Sequence, residues 1–473
     1  MASARSLAGL MKFIGRPEWA SEMDAVLADH LGPACNRHEI QPAAIAEILD
    51  EGHATTLWGC AFEDFMARQL PGGPNVVDDY IKRRGFQESA GNKRYMKAIR
   101  NSVMSLYEVS DVVPGQSFLA RDLVRSGEPV RVFEQSGSKQ LKQWDRMGAR
   151  LVHLGERWEM AGGVLVFDRA LSDALLEELA ELMQRLPGEI RQSTFETFGN
   201  RVPQEIAKAL ASCDPLSLSA ALFTTMWLDN ALDRMLNPKL PALRNTDGHE
   251  LVLCTLRFEL SQGVKAAGVR TALAGIPDVH RETAKVFNWR RPVDQEPKQS
   301  PDPTTDGLTI MSTHSSGETN LADIEITKTA VIVSTNSRER SAAAEALIGS
   351  ALGNRVAGPP THEAITAEEA IAAKAGRPKA KKSRVAKPIP PDQERAIIHA
   401  HLDQHYAKTL DEPVAVLGNI SPRAAAKSAS DRAKVIDWLK VIENHMSHAK
   451  DAPMATYDTS WLWRELGLER ERL

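Results

Sequence analysis

The spacing of apolar residues changes several times along this chain, and a sequence that changes period cannot be one repeat, one bundle or one barrel. Through residues 18–101 the spacing is helical. Pro42 suits a first helical turn, Ala43, Ile45, Ala46, Ile48 and Leu49 follow it, and Gly52 can stop the helix. Trp58, Phe62, Phe65 and Met66 then stand on one helical face, the usual mark of a packed core. From Met104 to Phe167 short β-type runs replace the helical period: Val130–Phe133, Ala149–Val152 and Val164–Phe167, with turns at Pro114-Gly115 and Ser126–Pro129. Short strands between tight turns predict a small barrel. Leu175, Leu179, Leu182 and Leu186 restore the helix, with Pro187-Gly188 read as its stop, and Asp214-Pro215 opens another apolar run to about Leu236.

Between His249 and Val356 the pattern is mixed. Leu251–Phe258, Leu308–Met311, Asp323–Ile326 and Ala330–Ser334 read as strands and residues 263–274 as a helix. Asn336-Ser337 caps a second helix to about Leu352, which Gly353-Asn354 ends. The junction Val333–Arg340 offers amides, hydroxyls and two arginines to an anion, without the glycines of a phosphate loop. A basic, Pro- and Ala-rich linker follows over 358–390. Its Ala375–Lys379 run resembles the core of an AT-hook, with Ala375 standing where a second arginine is usual.

The last segment is helical again. Leu417-Gly418-Asn419 makes a turn, Ser421-Pro422 starts a helix, and Ser430-Asp431 starts another in which Val435, Leu439, Ile442 and Met446 share a face. Asp458-Thr459 opens a final helix that Gly467 ends. At 473 residues the chain exceeds one compact core, and 42% apolar with 25% charged residues is ordinary for a globular protein. A net charge of -4 supplies no global attraction to nucleic acid, and no run of eighteen apolar residues suggests a membrane span. Cys35, Cys60, Cys213 and Cys254 are scattered, which argues against a disulfide framework or a zinc site and fits a cytoplasmic protein.

The order Pro413, Leu417-Gly418, Ser421-Pro422 and Arg432 resembles the toxin-binding domain of Xre/ParS-type bacterial antitoxins, whose usual Leu-Gly-Gly-x-Thr-Pro is altered here at Asn419 and Ser421. Glu443, Tyr457-Asp458 and Leu466–Leu468, with Val77–Gly85, Ser105–Val109, Pro114-Gly115 and Arg121–Leu123, resemble a group of bacterial proteins some of which carry a SEC-C zinc motif. That motif is absent from this sequence. The resemblance implies a protein partner such as an NAD-consuming toxin, met by analogy at Arg423, Arg432, Trp461, Trp463 and Arg464, with one tryptophan packed against Trp438.

The expected fold class is α+β and multidomain: a helical region (1–101), a small β-barrel-like domain (102–170), a helical region (171–240), an α/β domain (241–357), the linker (358–390) and an antitoxin-like helical domain (391–473). The leading function is a non-enzymatic, cytoplasmic, protein-binding regulator with no cofactor, no metal and no catalytic residue. An alternative is nucleic-acid binding through Arg131, Lys142 and Trp144 of the barrel and Arg377, Lys379, Lys381, Lys382 and Arg384 of the linker. A second alternative is an enzyme whose site lies in the central α/β domain. Neither the His399, His401, His405 cluster nor Asp323, Glu325 and Lys328 has the spacing of a metal or nuclease motif.

Overall fold

The structure is a computed structural model describing residues 7–69, 73–198, 202–204, 214–237, 242–292, 307–310, 312, 318–370, 390–449 and 452–472. It divides into two units, one of Met1–Pro238, Pro391–Tyr406 and Ala426–Leu473, the other of Lys239–Pro390 and Ala407–Ala425. The fold class is the expected one: helices, a small barrel, a central α/β unit and C-terminal helices.

The N-terminal helices are α1 (Ala8–Ile14), α2 (Pro17–Arg37), α3 (Glu51–Ala67), α4 (Val76–Arg84) and α5 (Ala90–Arg100). Side chains cap three of them: Asp50 accepts from the His53 amide, Asn75 from Val77 and Ser89 from Asn92. Phe62, Phe65 and Met66 are buried among Leu10, Phe13, Trp19 and Tyr80, each full burial stabilising by about 1.5–3 kcal/mol. Trp58, the remaining member of that stripe, stays exposed and stacks on Phe62 at 4.9 Å.

The barrel follows as β1 (Met104–Val113), β2 (Ser117–Asp122), β3 (Val130–Phe133), β4 (Arg146–Leu154) and β5 (Arg157–Met160), with β6 (Leu165–Phe167) added beside β4. The ten-residue β1 is long enough to pair with β2 and β4 at once, which closes the order β1-β2-β3-β5-β4-β1. All pairings are antiparallel except β3 with β5. This is the Greek-key order of an OB-type barrel. Tyr107, Val109, Phe118, Val132, Met147 and Leu151 fill its inside. Beyond it run α6 (Arg169–Phe198) and α7 (Ala220–Leu236). Pro187 does not stop α6 as its sequence suggested: it lies inside the helix, whose continuation leaves Phe195 and Phe198 exposed.

The second unit begins with β7 (Ala242–Asn245) and continues through β8 (Val252–Glu259), α8 (Ala266–Ala274), β9 (Val279–Arg281), β10 (Val286–Arg291), β11 (Gly307–Ile310), β12 (Thr319–Ile326), β13 (Ala330–Thr335), α9 (Arg338–Leu352) and β14 (Thr361–Thr366). β11 pairs in parallel with β7. The other strands form an antiparallel sheet ordered β14-β8-β13-β12-β10-β9. Leaving aside the β9–β10 hairpin, the path is the split β-α-β arrangement. Val269 and Leu273 of α8 and Ala344, Ile348 and Leu352 of α9 pack with Phe258, Phe287, Ile324 and Val333. The other sheet face carries the exposed Leu253, Asp323, Glu325 and Ser334.

The C-terminal residues form α10 (Pro391–Thr409), α11 (Arg432–His448) and α12 (Ser460–Glu465). In the turn, Gly418 and Asn419 have φ of 76° and 60°, the left-handed region that those two residue types tolerate. Within the first unit, α11 is fastened to the barrel. Lys440 pairs with the buried Glu108 of β1. Asn444 Nδ2 donates to Gln143 O at 2.9 Å and to Asp145 Oδ1 at 2.8 Å, and His448 Nε2 lies 2.6 Å from the same carboxylate oxygen. No described helix is long and apolar enough to cross a membrane.

Candidate nucleic-acid interface

The outer surface of β2 and β3 is the face of an OB-type barrel that meets ligands, together with the β1–β2 and β4–β5 turns. Strand alternation decides what it displays. Val132 is buried inside, so Arg131 and Phe133 point out, and Phe133 is 41% exposed. The Arg157 guanidinium of β5 lies 5.1 Å from the centre of the Phe133 ring, an aromatic face beside a cation. Arg131 is held by Asp111, to whose carbonyl oxygen its Nη1 donates at 3.1 Å and with whose carboxylate it pairs. Arg121 and Lys139 are exposed on the same barrel, and Gly115 makes the β1–β2 turn at φ 76°. Asp111, Glu134 and Glu156 dilute this charge.

The residues named from sequence fare unequally. Lys142 is exposed. Trp144 is not a stacking platform: it is 4% exposed, its Nε1 donates to Glu443 Oε2 at 2.9 Å, and Lys440 sits 4.4 Å from its ring. Trp463 is fully buried against Trp144, with ring centroids 5.9 Å apart, rather than against Trp438. Burial removes it from any partner surface. Trp461 is partly buried and donates to the Tyr457 hydroxyl at 3.0 Å, Arg432 pairs with Glu471, and Arg464 remains exposed. Arg423 belongs to the other unit, where its Nε donates to Asp411 at 3.0 Å. Arg377, Lys379, Lys381, Lys382 and Arg384 lie outside the described residues. At the Val333–Arg340 junction Ser337 caps the Arg340 amide, and the buried Arg340 side chain donates to Asp247, Thr246 and Asn336. That arginine is satisfied internally and does not wait for an anion.

Sequence reasoning missed a buried ionic cluster. Asp64 of α3 accepts from Arg150 at 2.7 Å and from Arg68 at 2.8 Å, and His30 Nε2 lies 3.3 Å from it. His30 Nδ1 is 2.9 Å from Thr224 Oγ1. Burial raises the Asp64 carboxyl, but the His30 hydrogen bond and the Arg150 and Arg68 charges reverse this and hold it below its ordinary value. The Thr–His–Asp order is that of a hydrolase triad, but the ring nitrogens are exchanged, with Nδ1 on the hydroxyl and Nε2 on the carboxylate, and His30 and Thr224 are 0% exposed, so no substrate reaches it. Beside it Gly163 lies so close to Cys60 that a Cβ would come within 2.8 Å of the Cys60 nitrogen, and this approach lets the Gly163 amide donate to Glu63 Oε1 at 2.8 Å. Burial raises Glu63 to about 7. Among the described residues no group of three or more His, Cys, Asp or Glu could hold a metal ion. The only sequence trace of the cluster is a Glu63-Asp64 pair inside an apolar helical stripe.

No curated protein matches the chain. Residues 68–198, from the end of α3 through the whole barrel and α6, match a family of unknown function, DUF7986.

Proposed function

We propose that this protein binds single-stranded nucleic acid across the β2–β3 face of its barrel, in the cytoplasm. The observation that carries the reading is the exposed Phe133 with Arg157 against its ring and Arg131 two residues away on β3. A base stacks on an aromatic face whatever its identity, and neighbouring guanidinium groups meet the phosphates. The basic linker over 358–390 supplies further positive charge from sequence alone. The test is fluorescence anisotropy with labelled single-stranded DNA and RNA across a salt series. Affinity that falls steeply with salt and drops by about 1–3 kcal/mol in Phe133→Ala supports the reading. Equal affinity for wild type and Phe133→Ala removes the barrel from it.

A second reading keeps a protein partner, of the NAD-consuming toxin class that the antitoxin resemblance implies, on the C-terminal helices. It is favoured by the exposed Arg464 and by Ile397, an apolar residue of α10 that is 60% exposed. Its test is Arg464→Glu with Ile397→Asp in the full chain. A truncation before α10 serves badly, because it would also strip α11 from the barrel and expose Trp144.

A further inference from the structure

Residues 82–100 of the first unit hold seven lysines and arginines against a single carboxylate, Glu88, in a chain whose net charge is -4. They span the end of α4, a one-turn helix (Gly85–Gln87) and α5. Arg83 pairs with Asp79 and Arg100 with Asp78, both of α4. Lys82, Arg84, Lys93, Arg94 and Lys97 form no ion pair with a described residue. Glu88 does not hold them either: its Oε1 accepts from the Tyr80 hydroxyl at 2.6 Å and its Oε2 from Asn92 Nδ2 at 2.8 Å.

Phe86, in the turn between the two helices, is 78% exposed, more than any other large apolar side chain described. The turn runs close over α4, since a Cβ on Gly85 would lie 3.2 Å from Ile81 Cγ2 and 3.7 Å from Lys93 Cδ. The next side chain is left in solvent, with the Lys93 stem beside the turn. On α5 Lys93 and Lys97 are one helical turn apart and Arg94 adjoins them, so the three cations share a side of the helix. One hairpin links this patch to the barrel face. Arg157, whose guanidinium lies at the Phe133 ring, stands opposite Leu154 in the β4–β5 ladder. Leu154 packs against the same core as Ile81 of α4 and Tyr95 and Ala98 of α5.

We propose that a bound single strand leaves the Phe133 platform, passes the β4–β5 hairpin and is gripped again at the α4–α5 turn, with a base stacked on Phe86 and phosphates on Lys93, Arg94 and Lys97. This rests on the nucleic-acid reading of the barrel and extends it to a strand longer than one barrel holds. A lone exposed ring among cations serves a base of any identity by stacking, while the cations replace the counterions of the phosphates. An anionic lipid surface is the poorer match. Insertion there takes a contiguous apolar face, and Phe86 is followed by Gln87, Glu88 and Ser89.

The experiment is anisotropy of the full chain with labelled oligothymidylates of about 6 and about 25 nucleotides, the first within the span of a single barrel and the second beyond it. Phe86→Ala, and separately Lys93→Gln with Arg94→Gln and Lys97→Gln, should weaken the longer strand by about tenfold and leave the shorter one unchanged. The triple substitution should also lower the salt slope of the longer strand by about 2. Unchanged binding of the shorter strand reports a fold kept intact. Phe133→Ala should weaken both strands. Equal affinity of wild type and both patch variants for the longer strand overturns the proposal and leaves the barrel in place. Silence of Phe133→Ala at both lengths removes the barrel reading, and the shared path with it. Phosphatidylserine vesicles that bind wild type but not Phe86→Ala, with oligomer affinity the same in both, would give the patch to a lipid surface and overturn the proposal as well.

Discussion

The indole Nε1 of Trp144 on the barrel donates to Glu443 Oε2 of α11 at 2.9 Å, across 299 residues of sequence. Trp144 has a φ of 67°, a conformation that costs a bulky residue free energy and that the indole's partners stabilise. Arg472 Nη2 also donates to Glu443, at 2.6 Å. Glu443→Ala should therefore leave both donors unmatched and destabilise the first unit by about 2–4 kcal/mol, read by urea unfolding followed through tryptophan fluorescence. A loss below about 0.5 kcal/mol would show the contact to be incidental.

Lys440 and Glu108 are a buried pair of opposite charge. Removing Lys440 leaves Glu108 only the longer contact to Arg169 at 3.7 Å: Lys440→Met alone should cost about 1–3 kcal/mol, whereas Lys440→Met with Glu108→Leu should recover much of it. A double-mutant cycle in chemical denaturation measures the difference. Strict additivity of the two substitutions would mean that the charges do not interact.

Glu63 gives the first unit a pH dependence of definite sign. Its carboxyl is raised by burial from 4.5 to about 7, with the Gly163 amide and Arg150 only partly offsetting this. Between those values the folded state binds more protons than the unfolded state, so the stabilisation is complete below 4.5 and lost as pH rises through about 7. Asp64, held low, acts in the opposite sense and only in more acid solution. Glu63→Gln keeps an acceptor for Gly163 and should flatten the slope, gaining on the order of 3 kcal/mol relative to wild type at pH 8. Thermal melts from pH 5 to 8 for both proteins decide this, and parallel curves would place the titration elsewhere.

The Thr224, His30 and Asp64 chain should be structural and chemically silent. Thr224→Val removes the hydroxyl beside His30 Nδ1 and should cost about 1–3 kcal/mol. A fluorophosphonate probe should leave the folded wild type unlabelled, since the hydroxyl is buried. Labelling at Thr224 would show that the cluster opens to solvent.

Legibility followed locality. The barrel was readable because Val130–Phe133, Ala149–Val152 and the Pro114-Gly115 turn each carry their own signal over a few residues, and the α9 cap was readable because Ser337 sits directly before its helix. The roles of Trp144 and Trp463 were not, because a tryptophan reads alike whether it awaits a base or packs against another tryptophan far along the chain. Pro187 misled for a related reason: a local breaker signal was overridden in a helix that continues to Phe198.

The clasp of α11 on the barrel also sets an order of events in synthesis. Residues 239–390 and 407–425 leave the ribosome before 426–473, so the second unit can complete itself while Glu108 of the barrel still lacks its lysine and Trp144 its cover. A chain interrupted in that interval carries a carboxylate without its lysine and an apolar ring without its cover. Such products offer proteases and chaperones a mark of incompleteness that the finished molecule has erased.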